Sequence, residues 1–278
     1  DQIMVVDDLI LENSCSRKIE KIGLFLNPGL LVEQIKTEDR VIYFEREKQV
    51  LVLKECFLPH EVKCIRISYI GEIDESICYL DLGDKIHTNP LDNQAIMSHG
   101  RHTAFVSDRF TWLTPECLWY PVRIPPVDPL LPNQSERDFT SFRLSVICDT
   151  TLTAISQGVG IRNKDTVCFT NMQAFSGLTL CMGKYRQRSL DAGRIRYNLY
   201  YFSENGALYK QFNGSKDGVR AGLEESMGYF EYNQGIDYPF DELSMIELPV
   251  SCCLQIRNGG TILQPEFVFQ MENLCDRS

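Results

Sequence analysis

The chain has 278 residues, 44% of them hydrophobic and 24% charged, enough for one large or two ordinary domains with an ample core. Acidic residues outnumber basic ones 38 to 28, a net charge of −10 dispersed along the chain, which argues against the basic face a nucleic-acid binder needs. No run approaches the roughly 18 apolar residues of a membrane span, and DQIMVVDDLI carries acidic residues where a signal peptide carries basic ones, so the expectation is a soluble piece of something larger.

Residues 1–82 read as all-β. Segments 3–11, 21–26, 40–44, 50–57, 63–69 and 77–82 are short and rich in β-branched residues, with turns at Asn27-Pro28-Gly29, at 45–48 and at 58–61. That spacing predicts a sandwich or saddle-like sheet. CIRISYIG alternates apolar and polar positions, so one of its faces is wet. Residues 83–103 form a polar connection. Segment 103–122 concentrates Trp112, Trp119 and Tyr120, and the prolines of 121–132 then forbid a central strand. Strands are expected at 139–148 and 152–156, paired around CDTT, and at 167–170, 178–182 and 194–202, with Gly158 and Gly160 in a turn.

In 217–249 the pattern changes period. Val219, Leu223, Met227 and Phe230 recur every three or four residues, one apolar stripe of a helix. Ser215 or Asp217 can cap its start and Gly235 can stop it. Tyr238 precedes a proline and is therefore extended. Residues 244–248 read as a buried strand closed by Pro249, and 251–256 and 261–269 as two further extended segments.

The chemistry-bearing residues form no active site by themselves. His99 and His102 stand three apart in a loop and lack the third ligand zinc needs; His60 and His87 fall in turns. There is no G-x-S-x-G elbow, and Asn258-Gly259-Gly260 is too short for a phosphate cradle. The carboxylate pairs Glu224/Glu225 and Asp241/Glu242 read as solvated faces, and the Trp112/Trp119/Tyr120 group as packed interior rather than a ligand platform. Of 11 cysteines, Cys64, Cys78, Cys148, Cys168 and Cys181 sit in apolar runs as small buried hydrophobes, and no C-x-x-C spacing occurs.

The order of four stretches resembles the N-terminal part of the aminopeptidase N-like zinc peptidases, the gluzincins with an HExxH helix. They are VIYFEREKQVLVLKECFLPHEVKCIRISYIGEID; Trp119-Tyr120-Pro121 followed by DFTSFRLSV and TAISQG; GLTLCMGKY; and GYFEYNQGIDYPFDELSMIELP, which resembles the passage opening the catalytic domain. GGTILQPEFVFQ is similar to a bacterial subgroup fused to ABC-transporter permease helices. Two departures stand out. The family's G-x-M-E-N position reads Leu254-Gln255-Ile256-Arg257-Asn258-Gly259-Gly260, and no H-E-x-x-H occurs in the sequence.

The resemblance implies a mainly β architecture. A saddle- or sandwich-like β-domain over 1–206, with a sub-boundary at 83–103, would precede the first helix and strands of a thermolysin-like α/β domain over 207–278. It implies a non-catalytic role, with no cofactor in this chain and zinc only in a downstream region. Asn258, Gly259 and Gly260 would be the substrate-binding residues. The partners it implies are the rest of a parent polypeptide or membrane domain and a peptide ligand, with no nucleic acid. The location is the extracytoplasmic, periplasmic side of a bacterial membrane. The alternative is a protein- or glycan-binding module of a transporter-permease protein, without peptidase activity.

Overall fold

Strict alternation builds the first sheet. In β1 (Ile3–Glu12) the odd residues Ile3, Val5, Asp7, Leu9 and Leu11 turn inward and the even ones outward. The computed structural model describes residues 2–74, 104–125, 138–170, 173–202, 207–214, 216–248, 256–258 and 261–265. The described residues fall into two compact units, one drawn from 2–74, 104–125, 138–141 and 173–181, the other from 142–170 and the described residues after 181.

The first unit adds β2 (Ile22–Phe25), β3 (Leu30–Lys36), β4 (Phe44–Glu47), β5 (Val50–Leu53) and β6 (Val62–Gly71). One antiparallel sheet has the order β1-β6-β3, with β1 paired to β6 from Ile3↔Gly71 to Glu12↔Val62. A second has the order β2-β5-β4. Leu24, Leu51 and Leu53 from the second meet Ile35, Ile65 and Ile67 from the first in one apolar cluster, a sandwich core. Segment 27–29 is a turn as expected, held by a fully buried Asn27. Its amide donates to the Cys117 carbonyl at 2.8 Å, and its side-chain oxygen accepts the Gly29 N–H at 2.9 Å. Strand β3 was not expected, and β4 occupies the charged stretch read as a turn. The reason is Arg46, which points inward from this edge strand and donates to the carbonyls of Leu30 and Asn27. Segment 77–82 lies outside the described residues.

Strands β7 (Ala104–Val106) and β8 (Phe110–Leu113) form a hairpin, followed by a 3-10 turn at Pro115–Cys117. The aromatic group is interior, as read. Trp112 is 0% and Trp119 3% exposed, Trp119 Nε1 donates to the Leu178 carbonyl at 3.0 Å, and the Tyr120 hydroxyl accepts the Leu178 N–H at 2.8 Å. Burial raises the Tyr120 hydroxyl well above its ordinary range.

The second unit holds β9 (Arg143–Ile147), β10 (Thr153–Ser156), β11 (Val159–Asn163) and β12 (Thr166–Thr170). The expected pairing of 139–148 with 152–156 does not form: β9 pairs with β12, from Thr166↔Ile147 to Thr170↔Arg143, and β12 also pairs with β11. β10 is nearly all buried, whereas β9 and β12 share the alternation of a sheet with one wet face. Gly158 makes the turn, but Gly160 belongs to β11, where a Cβ would lie 2.6 Å from the Phe169 ring. The cysteine reading needs correction. Cys64 lies on the wet face of β6 and is exposed, Cys148 and Cys168 are half-buried, and Cys181 is buried; Cys78 lies outside the described residues.

Strand β13 (Leu180–Gly183), whose first two residues belong to the first unit, lies beside β8. Then come β14 (Arg186–Ala192), β15 (Ile195–Tyr201), α1 (Ala207–Phe212), α2 (Lys216–Gln234), β16 (Glu242–Leu248), β17 (Ile256–Asn258) and β18 (Thr261–Pro265). The five strands make one mixed sheet, order β14-β15-β16-β18-β17, in which β15, β16 and β18 run parallel. Strands from before and after residue 206 pair within it. The β15–α2–β16 path is a crossover unit, the connection parallel neighbours require. The fold is mainly β, with a mixed sheet and a long helix at its end.

Candidate functional site

The helix α2 is positioned by its i, i+4 row. Val219, Leu223 and Met227 are half-buried, and the row continues to Glu231 rather than to Phe230, which is 46% exposed. At about 100° per residue position 230 lies nearer the centre of that stripe than 231, so it is the hydrogen-bond partners of Glu231 and not the helical period that turn it toward the sheet. There Glu231 accepts from Arg194 and from the Tyr238 N–H at 2.8 Å, and Arg194 also donates to the Tyr238 carbonyl at 2.7 Å. The Tyr238 N–H and then, after the opposing effect of desolvation, Arg194 hold the Glu231 carboxyl below its usual range. Two more bolts fix the helix to the β14–β15 turn: Arg220 to the Asp191 carbonyl at 2.9 Å, and the Gly193 N–H to Glu224 at 2.7 Å. Glu224 is therefore a latch, while Glu225 stays exposed. Gly235 ends the helix with φ +67°, as its sequence position predicts.

One face of the mixed sheet, through Tyr197, Leu199 and Met245, packs toward this helix side in an apolar cluster. The opposite face carries a polar row next to an apolar one that includes Tyr200 and the buried Ile246. Directly paired residues share a face, so the register sets Ser189, Asn198, Ser244, Thr261 and Asn258 in one transverse row across all five strands. Asn198, only 2% exposed, is its hub. Its oxygen accepts from Ser189 at 2.6 Å and Gln187 at 3.3 Å, and its amide donates to Glu242 at 3.0 Å. Beside the row, Arg196 binds Asp191 at 3.0 Å and approaches Glu242 at 3.9 Å.

Of the three expected binding residues, Asn258 ends the edge strand β17 and joins this row; Gly259 and Gly260 lie outside the described residues. Asn198 and Ser189 escaped sequence reasoning, although IRYNLYYF places Asn198 opposite its buried Tyr197 and Leu199 neighbours in plain alternation. Glu247, 4% exposed near the carboxyl end of β16, was likewise missed. Its carboxylate accepts the Phe202 N–H at 2.6 Å, and its carbonyl accepts the Tyr185 hydroxyl at 3.0 Å. On the helix side, Phe212, Gly218, Val219, Gly222, Leu223, Ser226 and Met245 line an open groove of about 350 Å³.

Chemically the described side chains of the row, Ser189, Asn198 and Ser244, are hydroxyl and amide groups without a paired nucleophile and base, and those of Asn198 are engaged within the sheet. Zinc finds no ligand group among the described residues. The sequence has no H-E-x-x-H, and among the described residues no three His, Cys, Asp or Glu side chains are grouped as metal ligands. His60 sits in a turn with its N–H on the Asn13 carbonyl, while His87, His99 and His102 lie outside the described residues.

No protein-family model matches the sequence, and no curated protein matches it. Solved structures do match in fold. A mutant of the M1 zinc metallopeptidase from Deinococcus radiodurans superposes with TM-score 0.61 at 15% identity, covering 95% of this chain and 56% of that one. The same mutant bound to a Tyr-Ser-Ala substrate gives 0.61 at 14% identity, with the same coverage. Another structure of that metallopeptidase gives 0.58 at 15% identity, covering 94% and 56%. The chain thus spans little more than half the length of these solved chains, and over that span it shares their fold.

Proposed function

We propose that this chain is a non-catalytic part of a membrane-associated, zinc-aminopeptidase-like protein. Its β-rich portion, through residue 206, shapes a substrate channel or docking surface, and residues from 207 onward open a peptidase-like domain. The observation that carries this reading is the likeness to M1 zinc metallopeptidases along 95% of the chain, with β17 as an edge strand where the G-x-M-E-N stretch was placed. Arg257 stands in that strand where the family has a glutamate, which argues against capture of a substrate ammonium here. A peptide, held through backbone groups and the polar row ending at Asn258, is the ligand class this edge suits.

The resemblance of GGTILQPEFVFQ to permease-fused proteins supports a location on the extracytoplasmic side of a bacterial membrane. An antibody raised against this chain tests both points in fractionated cells of the natural host. The expected result is a polypeptide larger than 32.0 kDa in the membrane fraction, exposed to added protease after the outer envelope is opened. A soluble species of that mass in the cytoplasmic fraction overturns the proposal.

A further inference from the structure

Strand β1 has β6 on one side only, and among the described residues no backbone hydrogen bond reaches its other edge. Ten consecutive residues therefore present alternate N–H and C=O groups along an open edge, the template for strand addition. Its inward residues Ile3, Val5, Leu9 and Leu11 are only partly buried against the core, so an added strand still has apolar surface to cover.

Asp7 interrupts that inward face at its middle. It is half-buried and, among the described residues, its carboxylate has no hydrogen bond or ion pair. The groups around it do not neutralise it. On its own strand, Asp8 is held by Arg66 of β6 through two bonds of 2.6 and 2.7 Å. Tyr69 of β6 commits its hydroxyl to the Trp119 carbonyl at 3.1 Å. Tyr120, beyond the 3-10 turn, receives the Leu178 N–H and has Glu116 as its other acidic neighbour. Among the described residues, the groups named around Asp7 are thus negative or neutral, while Arg66 and, at longer range, Lys36 act on Asp8.

A second copy of the chain is a poor occupant. Directly opposed residues share a face, so antiparallel registers centred on β1 set Asp7 against Asp7 or Asp8 against Asp8, and like charges directly opposite repel. We propose that the free edge of β1 receives an extended peptide segment of a partner, apolar on its inward side except for one lysine or arginine opposite Asp7. The backbone ladder supplies affinity, and the cation meeting a half-buried carboxylate that has no partner among the described residues supplies selectivity. This assignment rests on the geometry of β1 and its neighbours and draws nothing from the metallopeptidase likeness.

The test uses the full chain and a fluorescein-labelled peptide of alternating threonine and valine, proline at both ends, with one central valine replaced by lysine. Its partner probe has leucine at that position. Fluorescence anisotropy at neutral pH should give the lysine peptide about tenfold tighter binding, the factor of one charge-assisted bond. The preference should vanish in Asp7→Asn and shrink in acid, where the carboxyl is protonated, while hydrogen exchange shows protection of β1 amides in the complex. Equal affinity for the two peptides, binding of neither, or a lysine preference that survives Asp7→Asn each overturns the proposal. So does a concentration-dependent dimer that protects β1 in place of the peptide, which would assign the edge to a second copy.

Discussion

Replacing Asp7 with Asn reads the energetics of that inward carboxylate directly. In the fold its pKa is raised from 3.8 to about 6, by burial first and by the neighbouring Asp8 second. Because the folded-state value lies above the unfolded one, the native state holds this proton more tightly. Ionisation therefore costs stability above pH ~6, and the cost fades as pH falls from ~6 toward ~4. Linkage across that interval gives a cost of about 3 kcal/mol near pH ~7.5 and about 1 kcal/mol near pH ~4.5. An amide cannot ionise, so the stability difference between Asn variant and wild type should favour the variant by ~2 kcal/mol more at the higher pH than at the lower. Urea unfolding followed by tryptophan emission suits the measurement, since both tryptophans, Trp112 and Trp119, are buried in the unit that contains Asp7. An Asn effect that is the same at both pH values, or one that grows in acid, refutes the reasoning.

Three further outcomes follow from particular contacts. Gly160→Ala should destabilise by about 1–3 kcal/mol, because the new methyl meets the buried Phe169 ring; trimming that ring with Phe169→Leu in the double variant should recover part of the loss on thermal melts. Asn198→Ala strips the hub from Ser189, Gln187 and Glu242 and should cost about 1–3 kcal/mol in chemical denaturation. Glu231→Gln should loosen α2, seen as faster exchange of its amides. Glu231 has a depressed pKa, so its contribution is present above the ordinary carboxylate range and is lost as pH falls through the folded-state value; the gap between variant and wild type should close in acid.

What the sequence disclosed depended on whether a segment's neighbours were local. Val219, Leu223 and Met227 of the α2 stripe and the Gly235 stop are set by adjacent residues and stand where periodicity places them, whereas Phe230, the fourth member of that stripe, is exposed. Strand β4 was hidden because Arg46 in a charged stretch turns inward to carbonyls some 16 to 19 residues earlier, a partner no local pattern reveals. The same holds for β9, whose mate β12 lies beyond the intervening β10 and β11. The polar row was half legible. Alternation alone separates Asn198 from Tyr197 and Leu199, but its alignment with Ser244, Thr261 and Asn258 exists only once four registers are fixed. The likeness to zinc peptidases was readable from the order of weak motifs, and the fold bears it out, whereas the permease fusion stays a proposal.

The proposal that this chain, which shares the fold of part of such a peptidase, carries none of its chemistry meets its most direct test in one sample of the purified chain. It is titrated with zinc in a calorimeter and then assayed against aminoacyl chromogenic substrates. The account predicts no tight stoichiometric zinc binding and no turnover above the zinc-buffer blank. One equivalent of tightly held zinc accompanied by release of the chromogen would contradict it.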